Sequence, residues 1–342
     1  MQVLAQLNYL YGKPTTTGQY KQQYEDFIVT EDLGFELTGD GEHVLVFLQK
    51  RDCNTLFVAE QLAKYVGISP KLVSYAGLKD RHAVTQQWFS LHMPGQQTPD
   101  FSAFDLAGCE ILDVTRHNKK LKIGALKGNY FKIILRDLSE QSEIDSKLAL
   151  IKQHGVPNYF GEQRFGRDGN NITQAISWAK GEISVKDRKK RSFYLSAARS
   201  AIFNDIVSQR IAQNLQQTVL DGDILQLAQR SSWFVAQNDE LILLQQRLDS
   251  GELNITAPMI GDSPLGTLCK ALEFEKKCLE NWSEFNDLFK KERIETARRS
   301  ILLRAHQLNW QWLDCCTIEL EFYLSSGCYA TSVIRELIIE NE

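Results

Sequence analysis

Between Glu42 and Lys50, Val44, Val46 and Leu48 lie two residues apart and so share one face of a strand. That is the period of a strand with one buried face. Tyr24 to Glu31 is rich in β-branched and aromatic residues and reads as an earlier strand, and Gly34, Gly39 and Gly41 between the two suit a turn. The period then lengthens. Leu56, Ala59, Leu62, Ala63 and Val66 recur at helical spacing, with Asn54 placed as an N-cap and Gly67 as a stop. Leu72 to Ala76 and Trp88 to Leu91 read as short strands on either side of a charged loop, where Gly77 allows a corner. Beyond a linker near residues 94–103, Cys109 to Thr115 and Asn129 to Arg136 read as two more strands. Ser142 to Gln153 reads as a helix that turns Ile144, Leu148 and Ile151 inward and stops at Gly155.

The pattern changes at Val156. Asn158 to Asn171 is glycine-rich, with aromatics and two arginines, which suits either a backbone that approaches a ligand closely or a domain hinge. Helical stretches follow at Ser196 to Gln217 and Phe285 to Thr296, separated by turn-rich sequence around Asp221-Gly222-Asp223 and from Pro258 to Gly266. Strand character returns at Ile301 to His306 and Thr317 to Leu324, and a helix from Tyr329 to Ile339 closes the chain on Val333, Leu337 and Ile338. Sheet-rich ends around a mostly helical middle imply an α+β domain interrupted by an insertion. Two consecutive domains with a short extension would give the same pattern.

With 342 residues, 43% of them hydrophobic, the chain can bury one large core or two moderate ones. It has no apolar run long enough to span a bilayer, and Met1 to Tyr9 lacks the basic and apolar regions of a signal peptide, so a cytoplasmic protein is expected. Seven cysteines are scattered without a C-x-x-C pair, the histidines are dispersed, and neither a G-x-G-x-x-G nor a P-loop motif occurs. No metal and no cofactor are therefore expected. A net charge of −4 argues against indiscriminate binding to polyanions. Two local basic clusters point the other way: Arg116, Lys119, Lys120, Lys122, Lys127, Lys132 and Arg136, then Lys186, Arg188, Lys189, Lys190, Arg191 and Arg199. Either alone would suit a solvated face; together they favour a surface that meets phosphates.

The chemistry concentrates between Ala76 and Ser90, where Asp80 stands between Lys79 and Arg81 and beside His82. A carboxylate flanked by cations suits a nucleophile or a general base. As a bare triplet, Lys-Asp-Arg would be an ordinary polar turn. The longer string Gly77-Leu78-Lys79-Asp80-Arg81-His82-Ala83-Val84-Thr85-Gln86-Gln87 resembles the signature of the tRNA pseudouridine synthase D family. So do Asp26 to Glu31, Gly128-Asn129-Tyr130-Phe131, Asn158 to Asn171, and Ser326-Gly327-Cys328-Tyr329-Ala330-Thr331 leading into Arg335-Glu336-Leu337, in the family's order.

The resemblance implies a pseudouridine synthase fold, a mixed and largely antiparallel sheet flanked by helices, carrying an inserted family-specific α/β domain. It implies a catalytic domain from residues 1–154 and 304–342 around an insertion at 155–303. It further implies that uridine 13 of tRNA becomes pseudouridine without metal or cofactor; a monomer is expected, although the sequence carries no signal of oligomeric state. Asp80 matches the family's catalytic aspartate, which can attack the sugar, attack the base or remove a sugar proton. Lys21 resembles the basic residue that pairs with it, and Phe27 and Tyr329 match positions around the target nucleotide, the latter often phenylalanine. Chemistry on an unstacked base calls for an aromatic surface and an edge reader. Asn129 and Phe131, two apart on a strand and so on one face, fit those needs, although spacing alone favours a core position for Phe131. Lys79, Arg81 and His82 are expected to hold phosphate or shape the loop, Glu31 to anchor it by a salt bridge, and Arg164 and Arg167 to contact RNA phosphates. A non-catalytic RNA-binding protein and a hydrolase pairing Asp80 with Glu31 are the competing readings.

Overall fold

Val44, Val46 and Leu48 do face one core, and the elements around them can be followed in chain order in a computed structural model that describes residues 7–228, 230 and 232–341. The reading of the first residues lies, for residues 1–6, outside the described part. Strands β1 (Thr17–Tyr20), β2 (Phe27–Asp32) and β3 (His43–Arg51) come first. Tyr24–Asp26, expected to begin β2, is a 3-10 turn instead. The Asp26 carboxylate accepts the Gln23 N–H and the forked guanidinium of Arg136, which bends the chain there. Helix α1 (Thr55–Tyr65) starts where the cap predicts, with Asn54 Oδ1 accepting from the Leu56 N–H at 2.8 Å, and is followed by Gly67 in the left-handed region. Its buried stripe is Val58, Ala59, Leu62 and Ala63. Leu56, expected inward, is exposed, because the phase that seats Val58 on Val44, Val46 and Leu48 turns Leu56 out. Then come β4 (Val73–Tyr75), β5 (Val84–His92), β6 (Cys109–His117), β7 (Gly128–Arg136) and α2 (Gln141–His154), whose Ile144, Leu148 and Ile151 are buried as expected.

The middle of the chain is less helical than its pattern suggests. It holds β8 (Val156–Pro157), α3 (Asn170–Ala179), α4 (Arg188–Ala212), β9 (Ile224–Leu227), β10 (Trp233–Val235), α5 (Leu241–Asp249) and β11 (Leu253–Met259). After these follow α6 (Cys269–Leu279), α7 (Asn286–Lys291), β12 (Ala297–Ser300) and β13 (Leu302–Leu303). A four-stranded sheet in the order β10-β9-β11-β12 packs against α4. Its longest strand is buried almost without a break, so it shows no alternation, and its other strands are too short to reveal a period. Helix α4 begins at Arg188 rather than Ser196, because Asp187 caps it by accepting the Lys190 N–H at 2.8 Å. The chain ends with β14 (His306–Trp312), β15 (Ile318–Ser325), α8 (Ala330–Leu337) and β16 (Ile339–Glu340).

Two units divide these elements. One comprises Pro14–Leu148, Ala305–Ala330 and the described residues from Leu337; the other comprises the described residues up to Lys13, Ala149–Arg304 and Thr331–Glu336. The first carries the large sheet, with the path β14-β15-β7-β2-β5-β3-β6 and with β1, β4 and β16 attached at its sides. Its pairings are antiparallel except β2 with β5 and β1 with β16. One cross-strand row fixes the site. Cys109, Lys50, Thr85, Val29, Phe131 and Phe322 are successive register partners from β6 to β15, so their side chains share a face. Two residues along, Glu31 pairs with Asn129 on the same face, and Phe27 pairs with Ile133 on its other flank.

Candidate active site

The loop from Ala76 to Ala83 lies between β4 and β5, and side chains from distant parts of the chain fasten it at almost every residue. The Gln87 amide donates to the Gly77 carbonyl at 3.2 Å, and the Lys79 N–H donates to the Thr55 hydroxyl at 3.1 Å at the start of α1. The Lys79 ammonium turns inward, donating to Asn129 Oδ1 at 2.6 Å and forming an ion pair with Glu31 at 3.1 Å. Glu31 also accepts the Trp88 N–H at 3.0 Å, so this buried carboxylate joins β2, β5 and the loop as an anchor. The Asp80 carbonyl accepts from the Lys50 ammonium at 2.8 Å, and Asp80 Oδ1 accepts the His82 N–H at 3.2 Å. Arg81 reaches Asp52 at 2.9 Å. A loop tied at so many points holds its carboxylate in one place before any substrate arrives.

Asp80 Oδ2 forms an ion pair with the Lys21 ammonium, and the two side chains are 25% and 18% exposed. The pair is therefore accessible, not sealed in the core. Lys21 follows β1 with a φ of +60°, a left-handed conformation that a lysine adopts only under constraint from its surroundings. That backbone delivers its ammonium to Asp80 and over the Phe27 ring, 4.2 Å from the centroid. Phe27 meets Phe131 edge to face at 6.0 Å, and Phe131 stacks on Phe322 at 5.5 Å. Asp80, Lys21, Phe27, Phe131, Asn129 and Lys79 thus form one connected group. Phe27 and Phe131 are mostly buried within it, as its floor.

At the rim, His82 stacks on Tyr24 with centroids 6.1 Å apart, and Arg51 lies 4.5 Å over the same tyrosine ring while pairing with Glu25. A hydrogen bond to Asp52 pushes the Tyr24 phenol up, and the Arg81 guanidinium holds the Asp52 carboxyl below the usual range. Beneath the loop, burial lowers Lys50 to about 8 and pushes the Cys109 thiol up to about 12.

Tyr329 is half-buried, four residues past the end of β15, where Leu324 and Ser325 pair with Asn129 and Gly128. Arg164 and Arg167 belong to the other unit. Arg164 donates to the Ser196 hydroxyl at 3.0 Å and stands over the Phe160 ring, whereas Arg167 is almost fully exposed beside Asp168. Sequence reasoning missed Lys50, Thr55 and Gln87. For Lys50 a signal existed, since it continues the inward series Val44, Val46, Leu48. Gln87 lay inside the string that resembles the family signature, and Thr55 carried no signal beyond its polarity. Among the described residues, donors near enough to share a metal ion are Asp314, Cys315 and Cys316, on the exposed turn joining β14 to β15 and not in the Asp80 loop.

The basic clusters separate into held and outward residues. Arg116 donates to the Gly41 and Gln96 carbonyls, Lys132 pairs with Glu319 and Glu321, and Arg136 pairs with Asp26. In the other unit Arg191 pairs with Glu292, and Arg199 donates to the Met259 and Glu295 carbonyls. Lys119, Lys120, Lys122, Lys186, Arg188, Lys189 and Lys190 are exposed. Lys120 and Lys122 line an open groove of about 390 Å3 with Ser74 and Tyr75 of β4, the strand that leads into the Asp80 loop.

A family model described as tRNA pseudouridine synthase D (TruD) matches residues 4–177 and 169–337. The fold is similar to the crystal structure of a protein from Methanosarcina mazei described as a candidate tRNA pseudouridine synthase D. The two share 23% identity and a TM-score of 0.78, over 98% of this chain and 97% of that one. The mixed, largely antiparallel sheet with flanking helices expected from the sequence is the architecture found. Among the described residues no helix is long and apolar enough to cross a membrane.

Proposed function

The chain belongs to the tRNA pseudouridine synthase D family, and from that premise we propose that it converts uridine 13 of tRNA to pseudouridine with Asp80 as the reacting carboxylate. The observation that carries the reading is the placement of Asp80, paired with Lys21 on a loop pinned above the face that bears Phe27, Asn129 and Phe131. In the isomerisation the C1′–N1 bond breaks, uracil turns, and a C1′–C5 bond forms; the C5 proton leaves and N1 gains one. No oxidant, reductant or external group enters that balance. Asp80 supplies the nucleophile at sugar or base, or the base for a sugar proton, and Lys21 supplies its counter-charge. Phe27, Phe131 and Tyr329 offer surface to the extruded base, and Asn129, held by Lys79, offers an amide to its edge.

Residues 155–303 act as the inserted domain of a catalytic domain built from 1–154 and 304–342. The support is that Ala149–Arg304 falls in one compact unit, which also takes in the described residues up to Lys13 and Thr331–Glu336. The tRNA backbone is met by the exposed cations: Lys120 and Lys122 beside β4, and Arg167, Arg188, Lys189 and Lys190 in the other unit. Cations in the first turn of α4 oppose the helix dipole, at roughly 0.3–1 kcal/mol each. Helix stability therefore does not explain them, and phosphate contact does. The protein acts as a monomer in the cytoplasm.

Unmodified tRNA incubated with the purified protein should acquire pseudouridine at position 13, and Asp80→Ala should leave that uridine unchanged. Product formed by the alanine variant would take Asp80 out of the reaction. Tight binding of tRNA without any pseudouridine, by wild type and variant alike, would favour the RNA-binding reading.

A further inference from the structure

Lys50 is the last inward residue of β3, and its side chain is completely shielded from solvent. Its ammonium donates to the Asp80 carbonyl at 2.8 Å. Its register neighbours are Thr85 on β5 and Cys109 on β6. The ionisable groups that act on it are Cys53 from the turn after β3, Cys109 from β6, and Asp80 and Lys79 from the loop. Two thiols and a hydroxyl provide no counter-ion, so the carboxylate acting on this buried charge is that of Asp80. An ammonium in such a place is costly, and an unbranched apolar side chain would fill the same space more cheaply.

We infer that Lys50 is a positioning residue for the reaction: its charged ammonium holds the main chain of Asp80 from beneath while Lys21 holds the carboxylate from the side. The inference rests on the reading of Asp80 as the reacting group. Two cations on one residue fix both ends of it, so the carboxylate cannot swing when the base arrives. The grip depends on the proton. Burial brings Lys50 to about 8, so raising the pH through that value should replace a charged donor by a weaker neutral amine, loosen the hold on the Asp80 carbonyl and lower kcat.

Stability moves in the opposite direction. Above that pH the folded state binds fewer protons than the unfolded state, whose lysine titrates near 10.5, so this group's contribution to stability rises as pH increases from about 8 to 10.5. Titration of Lys50 therefore does not itself drive unfolding over that window, and thermal melts across it separate loss of activity from loss of fold.

The test measures kcat and KM on unmodified tRNA across neutral and alkaline pH for wild type, Lys50→Met and Lys50→Arg, with a thermal melt of each. Lys50→Met should melt no lower than wild type, keep KM, lose roughly tenfold or more in kcat, and lack the alkaline fall near the Lys50 pKa. Lys50→Arg, which stays charged, should recover part of kcat and shift the fall upward. Wild-type kcat with an unchanged alkaline limb in Lys50→Met would overturn the inference. Should Lys50→Met fail to fold, a 13Cε-lysine titration of the wild type decides: a Lys50 midpoint that coincides with the kcat limb supports the role, and a midpoint well apart from it removes the role. A wild type that forms no pseudouridine at all would instead overturn the underlying functional reading.

Discussion

Lys21 is held in a backbone conformation that costs a lysine roughly 1–3 kcal/mol. The return on that strain is its place against Asp80 and Phe27. Separating the two roles is straightforward. Lys21→Gly relieves the strain and should raise the melting temperature, while removing the ammonium should lower kcat roughly a hundredfold, as losing a preorganised charged donor does. Lys21→Met should lose the same activity without the gain in stability. Initial rates alongside thermal melts check both, and a glycine variant that keeps wild-type kcat would leave Lys21 a bystander. Neighbouring residues show how chemically similar side chains are given different work. Lys79 is spent on Asn129 and Glu31 inside the sheet, and Arg81 on Asp52 at the rim.

At the scale of elements, the Asp80 loop is rigid because of what surrounds it. Its backbone and side chains bond or pair with β2, β3, β5, β7 and the start of α1, so it is the junction of five elements and not a free connection. Helix α1 must therefore sit in one phase, since Thr55 at its first turn meets both Lys79 and Gln87. Val58 sets that phase by packing into the core, and Leu56 does not. Val58→Ala should lower unfolding stability by about 2 kcal/mol, because apolar surface is no longer buried and a cavity is left behind. Leu56→Ala should change it by less than about 0.5 kcal/mol. Denaturant titration of the two variants checks the assignment, and equal costs would contradict it.

Over the whole molecule, a chain of net charge −4 presents exposed cations in both units, and ion pairing decides which of them are left to meet a polyanion. Arg191 belongs to Glu292 and Arg136 to Asp26, so neither is a good probe of tRNA binding. Replacing Arg188, Lys189 and Lys190 by glutamine should weaken tRNA binding. The slope of log K against log salt should fall by about 1 for each phosphate that is no longer neutralised. The melting temperature should stay the same or rise slightly, because cations leave a helix N-terminus. An unchanged salt slope would make this face plain solvated surface.

Local pattern determined a good deal of this protein. The strand-like run in β3, the cap and stop around α1, the apolar spacing in α2 and the charged string at Asp80 are each written within a few residues, so they could be read without the fold. Only the tertiary structure decided which charges are used inward. Lys50, Lys79 and Arg136 look like other polar residues along the chain, and their partners lie 30, 50 and 110 positions away. The sheet β10-β9-β11-β12 escaped for a related reason: strands of a few residues, or buried on both faces, carry no period, and only their neighbours make them strands. Burial and pairing are properties of residues brought together from far apart, and a linear pattern records them only where a buried face happens to continue, as it does from Leu48 to Lys50.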